Sequence, residues 1–503
     1  MNCILGIDIG TSGCKVIAID EHCNILSSDT EEYPCYAPQK GWSEQDPEDW
    51  WKGVCKGLKK VTSAVSGNKI CAVGFSGQMH GMVALDKDKH VVRRAILWND
   101  QRTEKQCEEI TEFAGGLKSL IEVTNNRMLT GYTGGKILWM KENEPENYAK
   151  TKIILNPKDY IRFKLSGEIC TDASDASGTG LFNVKERKWA LDIIKKSGLN
   201  PEIFPRVIES TDISGYVDKE ASDLTGIPEG TALSGGGGDA VISTAGLGLN
   251  KPGRIGVTLG TSGVVAMNLL SFAPNPEGML QIFCGNEPGA YSAMGVTLSA
   301  AGSYKWFKNT LCKYESEKSK AEGKNVFALL DGEAAAVPPC SEGLIFLPYL
   351  TGERAPINDP NAKGAFLGIT SRHTKGHFAR SVMEGVAFSL RQVYELITGD
   401  GNVTDNSEIV IAGGGAGSHI WQQIFADTFN MPVRTVHGSS EGGSFGAALV
   451  AGVTAGVWKD LSETVQFIKS KSSVFPIEQN VPVYKSQYGK YVKFYDALKW
   501  SYK

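Results

Sequence analysis

Two carboxylates stand where the chain leaves its backbone bare, and each suits a different part of a group-transfer reaction. Asp8 lies in Gly6-Ile7-Asp8-Ile9-Gly10-Thr11-Ser12-Gly13, just before a turn. The backbone N–H groups of that turn and the Thr11 and Ser12 hydroxyls can hold phosphate oxygens, and Lys15 just beyond supplies positive charge. A carboxylate in that place would repel bare phosphate, so Asp8 makes sense where a divalent cation lies between acid and phosphate. Asp239 follows Ser234-Gly235-Gly236-Gly237-Gly238. Consecutive glycines cost ordering entropy and expose backbone. This pattern fits either a close approach to substrate with Asp239 as a base, or a flexible loop ending in a solvated acid.

A further run, Ile411-Ala412-Gly413-Gly414-Gly415-Ala416-Gly417-Ser418, joins a strand-like segment to a helical one beginning near His419. It can lie flat against an adenine or ribose, or it can be a helix start packed tightly on a strand. No run has the G-x-G-x-x-G spacing of a dinucleotide fold in its strand-to-helix setting, and no G-x-x-x-x-G-K-[ST] phosphate loop occurs.

An internal repeat alters the reading of the first turn. Gly256-Val257-Thr258-Leu259-Gly260-Thr261-Ser262-Gly263 repeats the first motif 250 positions later, with five of eight residues identical and Thr258 in place of Asp8. A single such turn would be an ordinary hairpin. Two of them, one carrying an acid, would form an asymmetric clamp on a triphosphate, with Thr261 and Ser262 as its second arm. Short apolar runs on each side, such as Ile4 to Ile9 and Lys15 to Ile19, predict hairpins.

These residues need a scaffold. Strand-like runs at Cys71–Phe75 and Ile409–Ile411 alternate with helical periods over Asp49–Val65, Gly376–Leu396 and His419–Phe429, which predicts an α/β protein. The Gly/Asn/Pro cluster from Gly246 to Gly253 predicts a junction between two related halves, residues 1–248 and 249–503. The tail beyond about Ser462 reads as a docked extension. At 503 residues the chain is long enough for two large domains, and 41% apolar with 21% charged residues is a folded composition.

A net charge of −4 gives no attraction to nucleic acid or anionic lipid. The mixed run Lys313 to Lys324 reads as a solvated helix face. No apolar stretch reaches the ~18 residues of a membrane span, and the first residues lack a signal-peptide pattern. Eleven scattered cysteines without a C-x-x-C pair predict reduced thiols and a cytoplasmic location. His373 and His377 lack the glutamate of a zinc helix and read as a surface loop and helix start. Trp50, Trp51 and Trp139 read as core. Asp172 and Asp175 either line the site or are hydrogen-bonded loop acids.

From Gly6 to about Val453 the chain resembles the FGGY carbohydrate kinases, and within them the xylulokinase-like members. The resemblance rests on Trp42-Ser43-Glu44-Gln45-Asp46-Pro47, Gly77-Gln78-Met79-His80-Gly81, Leu97-Trp98-Asn99-Asp100, Lys158-Asp159-Tyr160 and Thr171-Asp172-Ala173-Ser174-Asp175-Ala176-Ser177-Gly178-Thr179. It extends to the regions Gly131 to Trp139 and Gly364 to Glu384. It implies two actin-like ATPase domains (ribonuclease H-like α/β) around a central cleft, the first holding sugar and phosphate and the second nucleotide.

It further implies ATP and Mg²⁺, with Asp239 as catalytic base, Asp8 serving the metal, and Thr11, Ser12, Lys15, Gly260 and Thr261 near the phosphates. Gly414, Gly415 and Ser418 fall at the adenosine end, and Met79, His80, Gln78 and Trp98 at the sugar. The Met79-His80 pair, where glycerol kinase-like relatives have Arg-Glu, favours a pentulose, with D-xylulose leading over L-xylulose, ribulose, gluconate and glycerol. A small sugar is the expected partner, and a homodimer is left open. Two positions depart from the pattern: Ala240, where Asn is common, and Gly417, where a larger polar residue is usual. The readings from other classes are an actin-like nucleotide switch and a catalytically silent sugar sensor.

Overall fold

The structure, a computed structural model, describes residues 2–251, 253–399, 407–439 and 441–502. It contains two compact units, Met1–Lys251 with Asn268–Ser292 and Glu441–Ile468, and Pro252–Met267 with Ala293–Ser440 and Lys469–Lys503. The two interleave, because two later segments return to the first unit. The sequence shows one junction only.

In the first unit the strand Asn2–Ile9 pairs antiparallel with Gly13–Asp20 and parallel with Lys69–Gly77. In the second, Arg254–Leu259 pairs antiparallel with its hairpin mate and parallel with Glu408–Ala412. The internal repeat is thus a repeat of sheet topology, and both expected hairpins form. Their closures differ by one residue: the Gly10 amide donates to the Gly13 carbonyl at 3.0 Å with Ile9 opposite Cys14, whereas the Gly260 amide donates to the Ser262 carbonyl at 3.0 Å with Leu259 opposite Gly263.

Local chemistry sets the element ends. Asp46 caps the helix Pro47–Ala64 by accepting from the Glu48 amide, and Pro47 sits at the first position, where its missing N–H costs nothing. Trp50, Val54, Leu58 and Val61 recur at helical spacing on the buried face against the sheet. Trp51 and Trp139 are buried as well. His377 belongs to the helix Lys375–Thr398, where it forms a capping box with Thr374 and not a metal site.

The helix Gly443–Thr454 is apolar on every side and buried through Gly452. It lies so close to the first sheet that a Cβ on Gly6 would overlap the Ser444 carbonyl and one on Gly74 the Ala447 carbonyl. It also packs on the helix Asp239–Gly246, which begins with the candidate base.

In the second unit the tail does more than dock. Ser470–Val474 pairs antiparallel with Val433–Val436, and the helix Val481–Leu498 buries Tyr484 and Tyr491. The Tyr484 hydroxyl donates to Glu384 Oε1 at 2.9 Å and accepts from Arg380 Nη2 at 2.9 Å. The eleven cysteines are all unpaired. Among the described residues no helix is long and apolar enough to cross a membrane.

Candidate active site

The glycine run before Asp239 is ordered backbone. Gly237–Gly238 pair in parallel with Ser76 and Gly77 at the end of the strand that neighbours Asn2–Ile9. Gly238 is the N-cap of the helix Asp239–Gly246, so the run delivers Asp239 to a helix start. The Ala240 amide donates to Asp239 Oδ1 at 2.7 Å. Burial pushes the Asp239 carboxyl up to about 7, and the like charge of Asp8 adds to this against hydrogen bonds from the Ala240 and Met79 amides. An acid held near neutrality can gain or lose a proton at working pH.

Asp8 lies opposite Lys15 across the hairpin and beside Ser76 in the neighbouring strand. Ser76 Oγ donates to Asp8 Oδ1 at 2.6 Å. Burial raises the Asp8 carboxyl against this bond and the Lys15 charge. Lys15 Nζ lies 2.6 Å from Glu441 Oε2, which balances its charge. Two carboxylates in one another's field, with the cation beside them balanced elsewhere, are a chemical fit for a divalent ion. Among the described residues no group of three or more His, Cys, Asp or Glu forms a complete cage. The fit is therefore to an ion that draws its other ligands from water and phosphate, as Mg²⁺ does.

Met79 adjoins Asp239, to which its amide donates, and His80 follows it in the chain. Met79 packs between Gly178 and Gly238, where a Cβ on either glycine would meet its side chain. His80 adopts φ +68°, a conformation that costs a bulky residue on the order of 1–3 kcal/mol. Its carbonyl accepts from Lys136 Nζ at 2.6 Å and Thr133 Oγ1 at 3.1 Å, and these bonds hold the strained peptide. Its ring stacks on Tyr132 with centroids 4.5 Å apart.

His80 Nδ1 lies 2.6 Å from the Gly178 carbonyl oxygen. That oxygen can only accept, so Nδ1 carries the proton. Burial, with the Lys136 charge, pushes the ring down to about 3. At neutral pH the imidazole is therefore uncharged, and Nε2 presents a lone pair to a ligand hydroxyl.

Gln78, Thr11 and Trp98 form a scaffold around the first turn. Trp98 Nε1 donates to Thr11 Oγ1 at 3.0 Å, Thr11 Oγ1 to Gln78 Oε1 at 3.2 Å, and Gln78 Nε2 to Gln45 Oε1 at 2.9 Å. Gln45 Nε2 closes the ring on the Thr11 carbonyl at 2.7 Å. Gln78 is buried and its amide is spent on these bonds, whereas Trp98 is 48% exposed and offers a ring face. Ser12 is exposed.

The candidate residues of the second unit share one cavity of about 480 Å³, lined by Gly260, Thr261, Gly414, Gly415 and Ser418. Its apolar wall comes from Tyr304, Phe327 and Trp421, and its polar floor from Asp331 and Asn325. Tyr304 hydroxyl donates to Asp331 Oδ1 at 3.1 Å. Ser418 caps the helix His419–Phe429 by accepting from the Trp421 amide. Gly417 also lines the cavity, and a Cβ there would meet nothing within 4 Å, so the space a larger residue would fill is open.

Tyr304 on the helix Ala301–Leu311, and Phe327 and Asp331 on the helix Val326–Ala335, escape a sequence reading because no motif marks them. Ser76, Glu441 and Lys136 escape it because their partners are remote in sequence. Lys136 does stand inside the Gly131 to Trp139 region that carries the resemblance, and this was the one available signal.

Comparison with known proteins agrees with this geometry. The model of the N-terminal domain of the FGGY family of carbohydrate kinases matches residues 3–246, and that of its C-terminal domain matches residues 256–455. The chain is 36% identical to a xylulose kinase of Bacillus subtilis over 99% of its own length and 98% of that protein. It is 37% identical to a xylulose kinase of Lactococcus lactis over 97% and 95%. A crystal structure of a ligand-bound xylulose kinase from Lactobacillus acidophilus superposes with a TM-score of 0.89 at 27% identity, covering 100% of this chain and 99% of that one.

Proposed function

Since this chain belongs to the FGGY family of carbohydrate kinases, we propose that it transfers the terminal phosphoryl group of ATP to a hydroxyl of D-xylulose, giving D-xylulose 5-phosphate. The observation that carries the reading is Asp239. It stands at a helix start behind a glycine run, with its carboxyl held near 7 and the Met79 amide donating to it. An attacking hydroxyl must lose its proton as it bonds to phosphorus, and Asp239 is the group able to take it. The glycines before it let Phe75, Ser174 and Met79 pack directly on that backbone.

Asp8, with the oxygen not bonded to Ser76, would hold a Mg²⁺ ion against the phosphates. That ion supplies charge neutralisation to the oxygens of the transferred group. In the first unit the turn amides with Ser12 can hold phosphate oxygens; in the second unit the Gly260–Thr261 turn can do the same, and the Tyr304–Phe327–Trp421 wall of its cavity takes the base. Stacking of a base on an aromatic ring is worth about 1–3 kcal/mol by alanine substitution. Phe327→Ala is therefore expected to weaken ATP binding roughly ten- to hundred-fold with sugar KM unchanged, measured by titration with ATP and by steady-state kinetics. Equal ATP affinity in the variant would move the base elsewhere.

The sugar end favours a neutral ketose. His80 offers an acceptor to a hydroxyl and Met79 an apolar wall, and neither attracts a carboxylate. Lys136 is bonded to the carbonyls of His80 and Gly131, and Lys15 to Glu441, so neither cation serves an acidic sugar. Among D-xylulose, L-xylulose, L-ribulose, gluconate and glycerol at fixed Mg-ATP, D-xylulose is expected to give the highest kcat/KM in an ADP-release assay. His80→Ala should lose more with D-xylulose than with glycerol, since the longer sugar has more hydroxyls to leave unpaired. A higher value for any other sugar would replace the substrate and leave the kinase assignment standing.

A further inference from the structure

Behind the glycine run lie five charged side chains that solvent does not reach. Lys158 Nζ stands 2.5 Å from Asp159 Oδ1, 2.7 Å from Asp172 Oδ1 and 3.3 Å from Asp175 Oδ2. Arg162 Nη2 stands 3.0 Å from Asp159 Oδ1. Three carboxylates face two cations. Burial, with Asp159 and Asp172 adding to it, raises Asp175 well above the usual carboxylate range. With a proton on Asp175 the cluster is neutral. Withdrawing such a set from water still costs several kcal/mol per ion, and well-packed apolar residues are often as stable or better. Stability alone is therefore a poor reason for the cluster to exist.

Several of its hydrogen bonds lead toward the glycine run, while Arg162 Nη2 also donates to the Cys170 carbonyl. Arg162 Nη1 donates to the Gly235 carbonyl at 2.5 Å. Asp172 Oδ2 accepts from the Ser174 amide at 2.8 Å and from the Ser174 hydroxyl at 2.5 Å. Since that hydroxyl gives its proton to Asp172, its oxygen is left to accept, and it takes the Gly238 amide at 3.3 Å. Ser210, whose hydroxyl donates to Asp172 Oδ2 at 3.3 Å, accepts the Gly236 amide on its carbonyl at 3.0 Å. A Cβ on Gly237 would stand 2.9 Å from Ser174 Oγ, so the serine reaches the run only because the run is glycine. Gly238 is the residue before Asp239 and the N-cap of its helix.

We propose that Asp172 and Ser174 are positioning residues for phosphoryl transfer: anchored by Lys158, they fix the Gly238 peptide and through it the direction in which the Asp239 carboxylate points. This rests on Asp239 being the proton acceptor. Among the described residues the carboxylate itself is held by the Ala240 and Met79 amides, so its aim follows the peptide before it.

The test is a double-mutant cycle on the purified full chain, read as kcat and KM with D-xylulose. Ser174→Ala is expected to lower kcat about ten- to hundred-fold with both KM values within about two-fold. Ser174→Cys, which keeps the volume and a weaker acceptor, should fall between it and the parent, and it serves if the alanine variant does not fold. In an Asp239→Asn background either substitution should change the residual kcat less than about two-fold, since no base is left to aim. The same fold-loss in both backgrounds, or a kcat for Ser174→Ala within about three-fold of the parent, overturns the inference. A parent-like kcat in Asp239→Asn alone overturns the base assignment instead, and so separates the two failures.

Discussion

Asp239→Asn is expected to lose about 10²–10⁴ in turnover while folding and binding ATP as the parent does. Asparagine keeps the shape and an oxygen for the Ala240 amide, yet it cannot take a proton. The pH profile gives a second, independent reading. In the parent, Asp239 is protonated below about 7 and ionised above it, and only the ionised form can accept the hydroxyl proton. The kcat/KM for sugar should therefore rise with pH through about 7 to a plateau, and the residual activity of the asparagine variant should lack that rise.

The same shift has a consequence for stability. An unfolded aspartate titrates near 4. Between about 4 and about 7 the folded protein therefore binds more protons than the unfolded chain, so Asp239 lowers stability as pH rises across that window. Removing its charge should raise the thermal unfolding midpoint measured above pH 7. A variant with turnover within a few-fold of the parent, or one that keeps the rise near pH 7, would end the base assignment.

Asp8→Ala is expected to raise the Mg²⁺ concentration for half-maximal activity by about ten-fold or more and to cut turnover at saturation. Mg²⁺ in kinases is held by one or two carboxylates together with phosphate oxygens, so the loss of one carboxylate is a large part of the protein's share. Thr258→Asp, the matching change in the second hairpin, should improve neither quantity. Asp8 faces Ser76 in the neighbouring strand, whose hydroxyl donates to it, whereas Thr258 faces Ala412. A carboxylate at 258 would have no such donor beside it. Asp8→Ala should also move the rise near pH 7 to lower pH, because the like charge that helps raise Asp239 is gone. ADP release titrated with Mg²⁺ for both variants decides the matter. An unchanged Mg²⁺ response in Asp8→Ala would make Asp8 a structural acid.

What could be read from the sequence was whatever depends on short-range spacing. The Gly-Thr-Ser-Gly turns close hairpins because their conformational needs are local, and their repetition announces two sheets of like topology. The glycine run and the single acid after it mark a close approach, and the Gly413 to Ser418 run marks a helix start on a strand. The residues Met79 and His80 could be named, but not the state of His80. Its left-handed backbone, its tautomer and its low affinity for protons come from Gly178, Lys136 and burial, which no spacing encodes.

The tertiary structure alone decided the rest. It turned Gln78 and Thr11 toward one another, paired Lys15 with the distant Glu441, and returned 268–292 and 441–468 to the first unit. It gathered Tyr304, Phe327 and Asp331 on one cavity. It also took Asp172 and Asp175, which the sequence left as either site or loop acids, into a buried charge cluster behind the glycine run. The physical reason is common to all of these. Turns, caps and helix faces are governed by neighbours a few residues away, whereas the proton affinity of a carboxylate and the partner of a cation are set by what the folded chain brings within a few ångströms and by how much water it excludes.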